Sequence, residues 1–287
     1  MDLDFLLAHS HGVVRTAQLQ ACDLTAADIR TATHSGKLSA LRHGWYAAPN
    51  ADPTVVRAVR AGGVLTCLSA LDVHGYWTPP LSALHIRRTE HGKYRAASAR
   101  SGTDIRECSV RRDNPSPVGS VDGSLSALRS MPGCVTEEEL VAVVDSMLHE
   151  RRVAINDIRD ALSGHPRHIR DLLRRCDHRA ESGTESLVRL RLRRLHVKVT
   201  PPVQIPGVGR VDLLVGNRLV IEIDSWKHHS AYEAYENDRA RDLALNELDY
   251  LVIRPTYRRV MFDWPSAERA IMAIVGRGDH LRGGRRH

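Results

Sequence analysis

Arg210-Val211-Asp212-Leu213-Leu214-Val215-Gly216-Asn217-Arg218-Leu219-Val220-Ile221-Glu222-Ile223-Asp224 sets the terms for the rest of this chain. Apolar and β-branched residues lie on both sides of a Gly-Asn turn signal, the pattern of a β-hairpin. Three carboxylates sit inside it. A strand that buries carboxylates must compensate their charge, and a bound divalent cation with oxygen ligands is one way to do so. Loop length decides whether the acids meet. A two-residue loop pairs Asp212 with Ile221 and sends Glu222 to the other face. A three-residue loop, Gly216 to Arg218, pairs Val215 with Leu219 and therefore Asp212 with Glu222. Asn217 tolerates the left-handed backbone of such a loop, and the three-residue loop is the expected one. Glu222 and Asp224 then share a face with Val220, while Val211, Leu213, Val215, Leu219, Ile221 and Ile223 form an apolar face.

The flanks supply more polar groups. Upstream, Ser182-Gly183-Thr184-Glu185 reads as a capping box opening a helix to about Leu195. Glu185 lies at helical spacing from Val188 and Leu192, so its carboxylate either caps the helix or points along the buried stripe. Downstream come Trp226-Lys227-His228-His229, then a helix from about Ala231 to Glu247 carrying Asp238, Arg239, Arg241 and Asp242. Tyr250 to Arg254 reads as a strand stopped by Pro255. The order describes a mixed α/β fold, a sheet flanked by helices.

Toward the N-terminus the pattern changes. A helix is expected near Thr16, a second over Leu24 to Arg30 with Thr25 as N-cap, and a hairpin turning at His43-Gly44. Helix, helix and hairpin over 1–50 is the order of a winged helix-turn-helix, whose second helix enters the major groove. Arg30, His34, Lys37, Arg42 and His43 would face phosphates; a protein-interaction spacer is the other use of such a module. Residues 51–178 read as a mixed, mostly helical middle domain. Val55 to Gly75 suggests two helices broken at Gly62-Gly63, and Leu84 to Arg87 a strand. Lys93 to Pro117 has little pattern. Thr136 and Glu139 open a helix with one buried stripe of Leu140, Val143, Val144 and Met147. Ile155 to Leu162 and Ile169 to Cys176 continue as helix. His74, His85, His165 and His168 have no partners at ligand spacing and read as structural or surface residues.

With 41 Lys and Arg against 34 Asp and Glu, the net charge is +7, which suits a polyanionic partner. Residues 277–287 read as a disordered basic tail ending Arg282-Gly283-Gly284-Arg285-Arg286-His287, able to touch phosphates. Over 287 residues, 42% hydrophobic content supports two or three domains with true cores. No run reaches the roughly 18 apolar residues of a membrane span. The start, Met1-Asp2-Leu3-Asp4, lacks the basic flank of a secretory signal, so a cytoplasmic protein without membrane partners is expected. Cys22, Cys67, Cys108, Cys134 and Cys176 are an odd, dispersed set without CxxC pairs. They argue against a disulfide framework and against a zinc site.

Glu185 on a helix, the lone Asp212 and Glu222-Ile223-Asp224 on paired strands together resemble the PD-(D/E)XK nuclease superfamily. With Asp in the last place, then His228-His229 and Asp238-Arg239-Ala240-Arg241-Asp242, the segment 179–276 is similar to the branch close to the very-short-patch-repair endonucleases. The first two segments resemble the AbiEi antitoxin family, with Gly44-Trp45-Tyr46 as the wing and Leu68 to Gly75 as the following helix. The nuclease resemblance implies a restriction-endonuclease-like mixed sheet and Mg²⁺ (or Mn²⁺), with no small-molecule cofactor. Asp212, Glu222 and the Ile223 carbonyl would hold the metal, which polarises the phosphate and activates a water. Glu185 would hold a second metal or a metal-bound water. The superfamily's lysine is missing, and Asp224 stands in its slot. Lys227, His228 or His229 would take over its role; the very-short-patch enzymes favour a histidine, with an ordinary pKa near ~6.5 suited to proton transfer. Asp224 would be a third ligand or hold Arg239 or Arg241 in an ion pair. The expected activity is metal-dependent hydrolysis of phosphodiester bonds, most simply in DNA, with Arg239 and Arg241 adding nucleic-acid contacts to those of the winged helix. A homodimer would allow both strands to be cut. The alternative is a non-catalytic DNA-binding regulator of the antitoxin kind with a degenerate nuclease domain; an RNA-directed nuclease is a third reading.

Overall fold

The computed structural model describes residues 2–88, 104–109, 114–224 and 232–282, of which 232–238 are described by backbone alone. The chain divides into two units, Met1–Thr136 with Ile155–Arg170, and Glu137–Ala154 with Asp171–His287.

The first unit opens with α1 (Leu3–Ala8), β1 (Val13–Arg15), α2 (Thr16–Gln20), α3 (Ala26–His34), β2 (Ser39–Arg42) and β3 (Trp45–Ala47). The strands pair in the order β1-β3-β2, which makes the winged helix-turn-helix expected from the sequence. Local chemistry sets its boundaries. The Thr25 amide donates to Asp28 Oδ2 (2.8 Å) and the Asp28 amide to Thr25 Oγ1 (3.2 Å), a reciprocal cap that starts α3. Gly44 turns the wing with φ +74°. Leu6, Val14, Leu19, Ile29 and Leu38 pack into one core beneath it.

The chain then runs through α4 (Pro53–Arg60), β4 (Gly63–Leu65), α5 (Cys67–Val73), β5 (Leu84–Arg88), β6 (Ile105–Glu107) and α6 (Ser124–Arg129). After α7 (Glu137–His149), which belongs to the second unit, α8 (Ile155–Leu162) returns to the first and α9 (Arg167–Asp171) leads out of it. The glycine pair at 62–63 does break the helical run, but a strand follows it directly. Gly63, Val64 and Leu65 are buried and pair antiparallel with β5. Three buried apolar residues carry no period by which strand and helix could be told apart. β6 adds to the sheet in parallel, order β4-β5-β6, inside a region whose sequence showed no pattern.

The second unit begins with α7. Its expected single stripe is an underestimate: every residue from Leu140 to Met147 is buried. A 3₁₀ turn at Leu172–Arg175 replaces the last part of the expected helix. Then come α10 (Gly183–Arg194), β7 (Val199–Thr200), β8 (Val203–Ile205), β9 (Gly209–Val211), β10 (Leu213–Val215), β11 (Leu219–Ile221), α11 (Tyr232–Glu247), β12 (Leu251–Ile253), α12 (Tyr257–Phe262) and α13 (Trp264–Arg277). The main sheet has the order β12-β11-β10-β7, with β11 and β12 parallel and the other pairs antiparallel. Val220 packs with Ile205, Val211 and Leu245 on one side. Leu213, Val215, Leu219 and Ile221 are fully buried.

The register is the expected one: Val215 pairs with Leu219 and Leu213 with Ile221. The left-handed loop residue is Gly216 (φ +63°), however, and not Asn217. A side chain at 216 would collide with the His280 carbonyl, so only glycine satisfies both demands. Two expectations need correction. Arg210 to Val215 is no continuous strand: it bends at Asp212 into β9 and β10, which belong to different sheets. The bend breaks the alternation, which is why Val211 joins Val220 rather than the opposite face. Arg282 is also no part of a free tail. Its amide donates to Asn217 Oδ1 (2.6 Å) and its guanidinium lies 4.2 Å from the Tyr250 ring centroid. Residues 283–287 lie outside the described residues.

Candidate functional site

The bend at Asp212 and the end of β11 bring the acids to one end of the sheet, the rim where its two central strands stop. Continuing the pairing of β10 and β11 by one step sets Asp212 opposite Glu222. Neither carboxylate is inside a strand; both sit where a ladder stops, and that frees backbone groups to bind them. The Ile223 amide donates to Asp212 Oδ2 (2.8 Å). Asp224 continues the same rim, is exposed, and forms a backbone bridge with Thr256.

Glu185 does both things its spacing allowed. Ser182 caps α10 through the Glu185 amide (3.2 Å), and the Glu185 carboxylate accepts from the Ser182 hydroxyl (2.8 Å) and the Glu181 amide (3.1 Å). It is only 5% exposed and feels the charge of Asp212. Burial, followed by that charge, pushes its pKa up to about 7. Burial also raises Asp212, with Glu222 adding to the effect and the Ile223 amide opposing it.

Arginines answer part of this charge. Arg254 donates to Glu222 Oε2 through Nε (2.9 Å) and Nη2 (2.7 Å), and Arg241 lies 2.6 Å from Oε1. Arg254 also pairs with Asp242, which holds the Asp242 carboxyl low and the guanidinium high. Among the described residues, Glu185 and Asp212 have no ion pair. Arg241 lies close enough to draw the Asp212 carboxyl down against burial and the charge of Glu222. The acids' oxygens do not converge on a closed cage. Among the described residues, only Cys67, His85, Cys108 and Cys134 bring metal-ligating atoms within 4.8 Å of one another. Mg²⁺ needs no such cage, since it keeps several waters and takes one or two carboxylates. Asp212 and Glu222 fit that demand, with Arg241 as the competitor for Glu222.

Compared with known proteins, the chain matches no protein-family model and no curated protein.

Other predicted residues are scattered. Lys227, His228 and His229 lie outside the described residues. Arg239 is exposed and pairs with Asp242 (3.5 Å). Arg30 and His34 are exposed on α3, and His43 is exposed at the wing turn. Lys37 pairs with Asp4 (3.0 Å). Arg42 is half-buried, with its guanidinium 5.3 Å from the Trp45 ring centroid, an arrangement that braces the wing. Arg254 was missed as a site residue, although the signal was present: parallel pairing of Ile221 with Ile253 places the next residues, Glu222 and Arg254, side by side. The Cys67–His85–Cys108–Cys134 cluster was missed altogether: cysteines dispersed along the chain are gathered with a histidine by the fold.

The raised Glu185 has a consequence for stability. Below about pH 4.5 the group is neutral folded or unfolded and costs nothing. Between 4.5 and about 7 the unfolded chain releases its proton first, so stability falls as pH rises. Above 7 the full penalty, about 3 kcal/mol, is in place. Glu185→Gln is therefore expected to raise the melting temperature at pH 8 much more than at pH 5. Thermal melts at both values check this; equal shifts would show that Glu185 is not held in a destabilising charged state.

Proposed function

We propose that the protein is a metal-dependent endonuclease acting on DNA, with the winged helix holding the substrate. One observation carries the reading: the β10–β11 register brings Asp212 opposite Glu222 where the two central strands stop, with Glu185 buried close enough to feel the charge of Asp212. Asp212 and Glu222 would hold Mg²⁺ or Mn²⁺. When bound, such an ion supplies Lewis-acid polarisation of a phosphate and a bound water of lowered pKa. The chain's own residues do the rest. The Ile223 amide fixes the Asp212 carboxylate through Oδ2. Arg254 orients Glu222 from one side, and Arg241, beside Glu222 Oε1, is a cation that could meet an incoming phosphate. Glu185 holds a proton near neutrality and so can exchange it with a water at this rim. Arg30, His34 and His43 offer exposed donors to the DNA backbone.

The second reading, a non-catalytic DNA-binding regulator, has an observation of its own. Both Glu222 oxygens already face arginines, as in a scaffold that has settled this charge without metal. The two readings separate in one experiment. Purified protein is incubated with plasmid, linear, single-stranded and mismatched DNA, with Mg²⁺, with Mn²⁺ and with chelator. Cleavage of at least one substrate, abolished by chelator, is expected. Metal-independent cleavage, or none on any substrate, defeats the enzyme reading. Gel shifts at graded salt complete the test: binding should fall steeply as salt rises. Salt-insensitive binding, or none, removes the winged helix from the mechanism.

A further inference from the structure

The geometry points to a structural zinc site in the first unit, built by Cys67, His85, Cys108 and Cys134. It is independent of the nuclease reading and of the carboxylate rim.

The four residues come from four separate places. Cys67 opens α5 directly after β4, His85 lies on β5, Cys108 follows β6, and Cys134 lies in the loop between α6 and α7. Their ligating atoms all fall within 4.8 Å of one another. Cys108 Sγ is 3.4 Å from His85 Nδ1 and 3.5 Å from Cys134 Sγ. A tetrahedral zinc with metal–sulfur bonds of about 2.3 Å has sulfur–sulfur edges of about 3.8 Å, and slightly shorter sulfur–nitrogen edges. Contacts between unbound thiols carry no such requirement. The sulfurs are also well beyond disulfide length, about 2.05 Å, and three cysteines with a histidine cannot pair off.

The backbone is arranged around this point. Cys67 has φ +52°, a left-handed conformation that residues other than glycine seldom adopt and that here accompanies the convergence of the ligands. The His85 amide donates to Ser69 Oγ (2.9 Å), and its carbonyl accepts from the Thr66 amide (3.1 Å). The Cys108 amide donates to the Ile86 carbonyl, and the Cys134 amide to the Met131 carbonyl (both 2.8 Å). Each of these three ligands is thus held by main-chain hydrogen bonds, so little ordering is left for binding.

Charge and softness choose the ion. Three thiolates with one imidazole select a soft or borderline cation over Mg²⁺ or Ca²⁺. Binding releases the three thiol protons and leaves one net negative charge on the centre. Arg106 lies close by and anchors the Cys134 loop by donating to the Gly133 carbonyl (2.8 Å). Four protein ligands close the coordination sphere, and Cys67, His85 and Cys108 are buried. A closed, buried site has no position for a substrate, so its role is to staple the β4-β5-β6 sheet to the loop before α7.

The test uses the full chain, purified without chelator. One equivalent of zinc is expected by elemental analysis. After chelation and exchange, Co²⁺ should give thiolate-to-metal charge-transfer bands and the intense visible bands of a tetrahedral site. Cys134→Ser, at the least buried ligand, is the variant best able to fold. It should lose at least about 100-fold in zinc affinity, since even an outer-shell partner is worth about 10–100-fold. Asp212→Ala/Glu222→Ala should keep its zinc and its cobalt spectrum. A folded wild type without zinc and without tetrahedral cobalt bands would overturn the site, as would undiminished affinity in Cys134→Ser. Zinc lost from the carboxylate double variant would also overturn it, by locating the ion at the carboxylate rim.

Discussion

DNA cleavage by the Asp212→Ala/Glu222→Ala variant is expected to fall about 10²–10³-fold, while DNA binding persists. The size follows from what the pair would contribute: a few kcal/mol of charge stabilisation at the reacting phosphate, at about 1.4 kcal/mol per tenfold in rate. The fold should survive. Glu222 is only partly buried, and the apolar ladder beneath, Leu213, Val215, Leu219 and Ile221, is untouched. Loss of Asp212 also relieves the repulsion that raises Glu185. Removing Glu222 takes one carboxylate away from Arg241 and leaves Arg254 with Asp242 alone, which favours a polyanion, so the variant should bind DNA at least as tightly as the wild type. Cleavage and gel-shift assays on the same preparation read both effects. Equal cleavage by variant and wild type would mean that the activity lies elsewhere; joint loss of cleavage and binding would point to misfolding, which a thermal melt resolves.

Asp145→Ala is expected to destabilise the second unit by about 3–5 kcal/mol, the cost of leaving a buried charge without its partner. Asp145 on α7 and Arg189 on α10 are both fully buried, with Arg189 Nη2 2.6 Å from Asp145 Oδ2. The same carboxylate accepts from the Ser186 hydroxyl (2.6 Å) and the Asp177 amide (2.7 Å), while Arg189 also donates to the Arg175 carbonyl (2.8 Å). Three chain segments therefore meet at one aspartate. Burial raises the Asp145 carboxyl pKa and Arg189 opposes the shift. Asp145→Leu/Arg189→Met should recover much of the loss, because two apolar groups leave no orphaned charge. Denaturant melts of both single variants and the double measure this. Additive losses, with no coupling, would show that the two charges do not depend on each other. A fragment beginning at residue 179 would lack Asp145 and should not fold stably.

The winged helix and the carboxylate hairpin were both readable along the chain, because each is written in neighbours. Thr25 and Asp28 cap a helix three residues apart. Val215 and Leu219 close a loop whose length alone sets their register. Where reading failed, the missing information was non-local. The helix 137–149 looked one-sided because its second buried face depends on α10, and it joins the second unit rather than a middle domain ending at 178. The break at Asp212 came from a change of sheet, which alternation cannot report.

Local propensity and patterning thus specified the elements of the winged helix, the Asp212–Glu222 pairing and the cap at Glu185, since their causes act over a few residues. Tertiary structure alone decided what those carboxylates face. It put Arg241 and Arg254 on Glu222 and, among the described residues, left Glu185 and Asp212 without an ion pair. It also gathered Cys67, His85, Cys108 and Cys134, residues tens of positions apart, at a single point. Ligand convergence depends on strand order and loop path, which no spacing along the chain records.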